Sequence, residues 1–271
     1  MRERADDPAA VPPVALTIAG SDSGGGAGIQ ADLKTFAAHG VYGLSAITAV
    51  TAQNTVAVTG VQEIEPELVS SQIAAVVSDF PVGAAKTGML SSAPIIRAVA
   101  RAVEDHELRV VVDPVMVAKS GDRLLRPDAV DALREELLPR AALVTPNVPE
   151  ASDLTGLRVE NEDEMRAAGE KLLEMGARAV LMKGGHLDGD PVVDLFLEGN
   201  RAVRFGGHRI HTRATHGTGC TLSAAVAANL ALGRTLPDAV KQARRYLRTA
   251  MFRATPLGQG HGPLGHLPEL S

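Results

Sequence analysis

The chain has one cysteine, no tryptophan, two tyrosines and five phenylalanines in 271 residues. A lone cysteine forms no internal disulfide, which fits a reducing compartment and a cytoplasmic location. Lys and Arg number 27 against 32 Asp and Glu, a net charge of −5, so no basic surface dominates. With aromatics at only 3%, a base-stacking platform for nucleic acid is excluded. No apolar run approaches the ~20 residues of a membrane-spanning helix. The opening MRERADDPAAVPP lacks the apolar segment of a secretory signal. Neither nucleic acid nor a membrane is therefore expected as a partner. What remains is a chain with 45% hydrophobic residues, long enough to bury a large core without a disulfide or metal staple.

Residues 1–13 are charged and then Ala/Pro-rich, and read as a disordered tail. From Val14 to the C-terminus no Pro/Gly linker divides the chain, so residues 14–271 read as one domain. Short apolar runs alternate with amphipathic stretches. VALTIAG (14–20), GAAKTG (83–88), RVVVDPV (109–115), ALVTPN (142–147) and RAVLMKGG (178–185) read as strands. They are continuously apolar, as in strands covered on both faces. Helical spacing marks 27–40, 66–80, 91–106, 128–138, 161–176, 215–233 and 235–254. Asn161 and Glu164 form a capping-box pattern at the start of one of these. Residues 192–198 and 201–211 suggest an antiparallel pair. Alternating strands and helices imply an α/β fold with a mostly parallel sheet and helices on both faces.

In such sheets ligands gather at the carboxyl ends of the strands. Those ends carry GSDSGGGAG, TAQNT, KTGM, DPVMVAKSG, TPNVPE, MKGGH and HGTGC. The first glycine loop lacks the third glycine of a dinucleotide fingerprint, and no Walker P-loop occurs. It reads either as a tight turn or as a place where a ligand touches backbone. Gly217-Thr218-Gly219-Cys220 opens a helix, whose free amides and dipole make an anion site. Cys220 in that first turn is expected to have a lowered thiol pKa and to act as base or nucleophile; the alternative is a buried structural thiol. Asp113 and Glu150 at strand ends suit Mg²⁺, although Asp113 also reads as a turn cap before Pro114. Lys119 and Lys183 suit phosphate. Together these features suggest phosphoryl transfer. The histidines show no metal-ligand spacing.

The full set, from GSDSGGGAGIQADLKTF to the terminal GHGPLGHL, resembles the hydroxymethylpyrimidine/phosphomethylpyrimidine kinases of thiamine biosynthesis. These belong to the ribokinase-like superfamily. The resemblance implies a three-layer α/β/α sandwich, ATP and Mg²⁺ as cofactors, and two successive phosphorylations of 4-amino-5-hydroxymethyl-2-methylpyrimidine, first to the monophosphate and then to the diphosphate. It implies that Cys220 is the base, with the backbone of Gly217, Thr218 and Gly219 as the anion hole. Gln53, Gly20, Asp32, Met89 and Val115 would line the pyrimidine pocket. Lys183 and Asn147 would lie at the ATP phosphates, with Asp113 and Glu150 at the metal. Lys119 would lie in a flap (115–125). Family members are commonly homodimers.

The runner-up is a pyridoxal/pyridoxine kinase of the same superfamily. Some relatives with that activity have a second cysteine in the flap, where this chain has Ala118. A cysteine hydrolase and a non-catalytic binding protein complete the alternatives.

Overall fold

The computed structural model describes residues 11–118, 121–122, 124–126 and 128–266. Most of the tail expected over 1–13 lies outside this range, as does Lys119. Nine strands form one sheet: β1 (Val14–Asp22), β2 (Tyr42–Gln53), β3 (Val58–Glu63), β4 (Val82–Thr87), β5 (Val110–Val112), β6 (Leu143–Val144), β7 (Ala179–Lys183), β8 (Val192–Glu198) and β9 (Arg201–Gly207). Their order is β3-β2-β1-β4-β5-β6-β7-β8-β9. The centre, β2 through β7, is parallel. The edges β3, β8 and β9 pair antiparallel.

Strand alternation sends Leu16 and Ile18 to one face and Ala15 to the other, all fully buried. The first face is covered by α2 (Pro66–Val77), α3 (Ala93–Asp105), the short α4 (Ala129–Ala132), α5 (Val148–Thr155) and α6 (Glu162–Glu174). The second is covered by α1 (Gly28–Ala38), α7 (Thr218–Ala231) and α8 (Leu236–Phe252). This is the expected three-layer sandwich. Phe36 and Phe196, both fully buried on the second face, each contribute about 1.5–3 kcal/mol by leaving water.

The small residues of α7 have a clear use. Ala224, Ala225, Ala227 and Ala228 are fully buried, and the helix lies against β1, β4 and β5 at the sheet centre. A Cβ added to Gly83 would meet the Ala231 Cα at 3.2 Å. Small side chains on both sides let helix and sheet approach closely, so this helix packs inside the domain.

Two expectations need correction. The helix read over 128–138 is a single α turn followed by a wide turn at Leu133–Leu137 and a 3₁₀ turn at Leu138–Arg140. Helix α5 was read only as a strand-end loop. Asn147 accepts from the Glu150 amide at 2.9 Å, and Glu150 accepts from the Asn147 amide at 2.8 Å. That reciprocal capping box starts a helix. At Asn161 only half of the expected box forms, because Glu164 accepts from the Glu160 amide instead.

Candidate active site

A cavity of about 650 Å³ opens at the carboxyl ends of the parallel strands. This size suits a small molecule together with a nucleotide. Its floor is the start of α7. Gly217 caps that helix with φ +79°, and no side chain caps the helix amides. A Cβ on Gly217 would lie 1.9 Å from the Gly26 carbonyl oxygen. Glycine is therefore required on two counts, a left-handed backbone and a contact with the glycine loop. Gly217→Ala is expected to lower kcat/KM by at least ~10²-fold, since it displaces the turn by an ångström or more. Steady-state kinetics alongside thermal melting would check it, and wild-type kinetics would disprove the requirement.

Cys220 lies in the first turn of α7 and faces the cavity. The expected lowering of its pKa is wrong. Burial pushes the thiol up to about 11, Asp32 and Asp113 add to the rise, and Lys86 opposes them. The helix start favours a thiolate, but desolvation outweighs it here.

Gly219 is the link to the charged side of the cavity. A Cβ there would sit 3.3 Å from Asp113 Oδ2 and 3.4 Å from Lys183 Nζ. Lys183 Nζ donates to Asp113 Oδ1 at 3.0 Å and lies 3.8 Å from Glu150 Oε2. Thr145 and Ser223 hydroxyls also donate to Asp113. Burial would lower the Lys183 pKa, but the charges of Asp113 and Glu150 raise it. Burial pushes Glu150 up to about 7, with Lys183 opposing and Asp113 reinforcing. Asn147 lines the cavity beside them, with its side-chain oxygen committed to the α5 cap.

The opposite arm is less polar. Gly20, Met89, Val115 and Gln53 line it. A Cβ on Gly20 would meet Met89 Sδ at 3.2 Å. Gln53 is held at the end of β2 by Ser23, which donates to its carbonyl and accepts from its amide. Its Oε1 accepts from Thr51 Oγ1 at 3.2 Å, leaving the amide nitrogen for a ligand. The described part of the flap folds back from Val115, with Ala118 lining the cavity and Asp122 accepting from the Val58 amide.

Asp32 does not line the cavity. It is fully buried beneath the floor, where its carboxylate accepts from Lys86 Nζ at 3.0 and 2.8 Å and from Thr17 Oγ1 at 2.6 Å. Burial would neutralise Lys86, but the Asp32 charge outweighs it and keeps the ammonium protonated.

Two further groups emerge only in three dimensions. Asp22 accepts from the amides of Gly24, Gly26 and Ala27 and pairs with His216 at 2.9 Å. Burial raises its carboxyl, but these bonds outweigh burial and hold it below the usual range. The pair ties the glycine loop to the anion turn, and both residues border the cavity. The second group, Ile210, Leu247, Arg248 and Met251, forms an apolar arm with a cationic rim beyond Lys183. Leu247 and Met251 are four apart on α8, a spacing visible in the sequence.

A helix start with unpaired amides, facing a carboxylate–lysine pair at the switch-side ends of a parallel sheet, defines a phosphotransferase of the ribokinase-like class. A family model described as phosphomethylpyrimidine kinase matches residues 22–265, and the chain belongs to that family. The hydroxymethylpyrimidine/phosphomethylpyrimidine kinase of Rhizobium meliloti is 56% identical over 256 residues, 93% of this chain and 96% of that protein. The phosphomethylpyrimidine kinase of Clostridium difficile 630, a solved structure, is 45% identical with a TM-score of 0.79, covering 88% of this chain and 98% of that one. The ADP complex of Bacillus subtilis pyridoxal kinase is 40% identical with a TM-score of 0.88, covering 94% and 98%.

Proposed function

We propose that the protein is a hydroxymethylpyrimidine/phosphomethylpyrimidine kinase of thiamine biosynthesis. It would phosphorylate 4-amino-5-hydroxymethyl-2-methylpyrimidine with ATP and then phosphorylate the monophosphate. One observation carries this reading: the uncapped α7 turn bearing Cys220 opens onto the same cavity as the free amide of Gln53. An amide that both donates and accepts suits an aminopyrimidine edge. The turn suits the phosphoryl group in transfer. The nucleotide belongs in the arm lined by Ile210, Leu247 and Met251, with its phosphates toward Lys183.

Asp113 and Glu150 are the residues that would hold Mg²⁺. Both converge on one point, now held by the Lys183 ammonium. Among the described residues no cluster of three or more His, Cys, Asp or Glu could cage a metal. Two carboxylates without a cage fit an ion that keeps water and takes its other ligands from phosphate. When bound, Mg²⁺ neutralises phosphate charge. Cys220, placed against the substrate hydroxyl, would accept its proton. Lys183 would balance the charge of the phosphates.

We read residues 14–271 as one kinase domain acting in the cytoplasm as a homodimer. No helix among the described residues is long and apolar enough to cross a membrane. Size-exclusion with light scattering tests the dimer.

Incubation with MgATP and the pyrimidine alcohol, read by mass, is expected to show monophosphate and then diphosphate. Pyridoxal turnover without pyrimidine turnover would instead establish the runner-up. That alternative has one point in its favour, the fold similarity to the B. subtilis pyridoxal kinase.

A further inference from the structure

The terminal GQGHGPLGH stretch is the one motif that the proposed chemistry leaves unused. After α8 the chain turns back and crosses the mouth of the glycine loop. The His261 amide donates to the Thr55 carbonyl at 3.0 Å, and the Gly260 amide donates to Thr55 Oγ1 at 3.1 Å. Thr55 directly follows the Gln53–Asn54 turn at the end of β2. The same stretch also reaches the anion turn. The Gly262 amide donates to the Arg213 carbonyl, the His216 amide donates to the Gly262 carbonyl, and His216 bridges Pro263. Beyond it, buried His266 meets the Thr221 hydroxyl at 2.8 Å within the first turns of α7. The Tyr246 hydroxyl of α8 donates to the His266 carbonyl at 2.9 Å.

We propose that residues 258–266 are a strap that sets the distance between the substrate-reading turn at Gln53 and the anion-binding turn at Gly217–Cys220. Gly260 and His266 are its positioning residues. This rests on the kinase reading above. Nothing within either turn fixes that distance. Gln53 ends β2, near one edge of the sheet, whereas Cys220 starts α7 on the sheet's second face. The strap bonds to both ends. Its registration with Thr55 depends on the absence of a side chain, because a Cβ on Gly260 would lie 1.9 Å from the Thr55 carbonyl oxygen and 2.6 Å from its carbon. Those are backbone atoms, so an added methyl moves the turn itself. His216, in turn, carries the constraint to Asp22 and the glycine loop. A Cβ on Gly26 would meet both the His216 ring and Pro263. Strap, anion turn and glycine loop therefore meet at one packed junction.

The test uses the full chain. Gly260→Ala is expected to raise the KM for the pyrimidine alcohol and lower kcat/KM by about 10²-fold, the usual result of an ångström-scale misplacement. The KM for ATP should stay near its wild-type value, because the nucleotide arm lies at the other end of the cavity. Calorimetric titration with the alcohol alone should show the same weakening. Thr55→Val removes only the hydroxyl that receives the Gly260 amide, and should lower kcat/KM by about 5-fold, the value of one hydrogen bond. It serves as the decisive variant should Gly260→Ala not fold. Unchanged alcohol binding in the folded variants would overturn the strap. So would an equal loss of alcohol and ATP affinity alongside a lowered melting temperature, which marks general destabilisation. Turnover by the unaltered chain separates two failures. Without it the kinase reading falls; with it, a wild-type Kd in the variants defeats the strap alone.

Discussion

Cys220→Ala is expected to lower kcat by about 10²–10⁴-fold, the range for a positioned acid–base group, with KM for the pyrimidine alcohol little changed. The pH profile separates two origins of such a loss. Burial holds the thiol at about 11, so at neutral pH the thiolate is a small minority. If the thiolate is the base, log kcat of the unaltered enzyme climbs with a slope near one from pH 7 to 10. The alanine variant should show a flat profile. A flat profile in both, with only a modest loss of rate, would leave transfer to the α7 amides and the bound phosphate charges. The base role would then be wrong, although the kinase reading would survive.

The largest expected effect on stability lies beneath the site. Lys86→Met leaves Asp32 as a buried carboxylate with only Thr17 as partner. Truncating one member of a buried ion pair costs about 3–5 kcal/mol. Urea unfolding should therefore show a strongly lowered midpoint. The double variant Asp32→Asn, Lys86→Met should recover much of that loss, because no uncompensated charge remains. Equal midpoints for the single and double variants would mean that the pair is not coupled as its geometry indicates. Lys86 also opposes the rise of the Cys220 pKa. Its loss in a variant that still folds should shift the alkaline limb of the kcat profile upward.

How far these features could be read in advance depended on sequence distance. The parallel strands were legible because a strand covered on both faces is apolar throughout, as VALTIAG and RVVVDPV are. The anion turn was legible because two glycines and a helix start are contiguous. Asp22 and His216 were not, because 194 positions separate them and neither has local periodicity to mark it. Lys86 sits in a short apolar strand, and its partner lies 54 positions away. The resemblance placed Asp32 in the pocket, but the carboxylate points below the floor to that lysine. Helix α5 was a different kind of miss. Asn-Val-Pro-Glu at 147–150 has the local spacing of a capping box, but the two polar residues were assigned only to ligands. The thiol prediction failed on a competition of terms: the helix start is visible in sequence, while the desolvation that outweighs it is set by the packed fold.

The position of α7 has a consequence for biosynthesis. This helix covers β1, β4 and β5 at the middle of the sheet, yet it comes after every strand in the chain. During synthesis the sheet can therefore pair while its central face, with Ala15, Ala84 and Val111, still lacks its cover. The last segments to leave the ribosome close that face, deliver the anion turn and lay the strap across it. A nascent chain that has completed all nine strands would hold much of the substrate pocket with no means of phosphoryl transfer. It would also present an apolar surface prone to association. Catalytic competence and burial of the sheet centre would then arrive together, in the same late step.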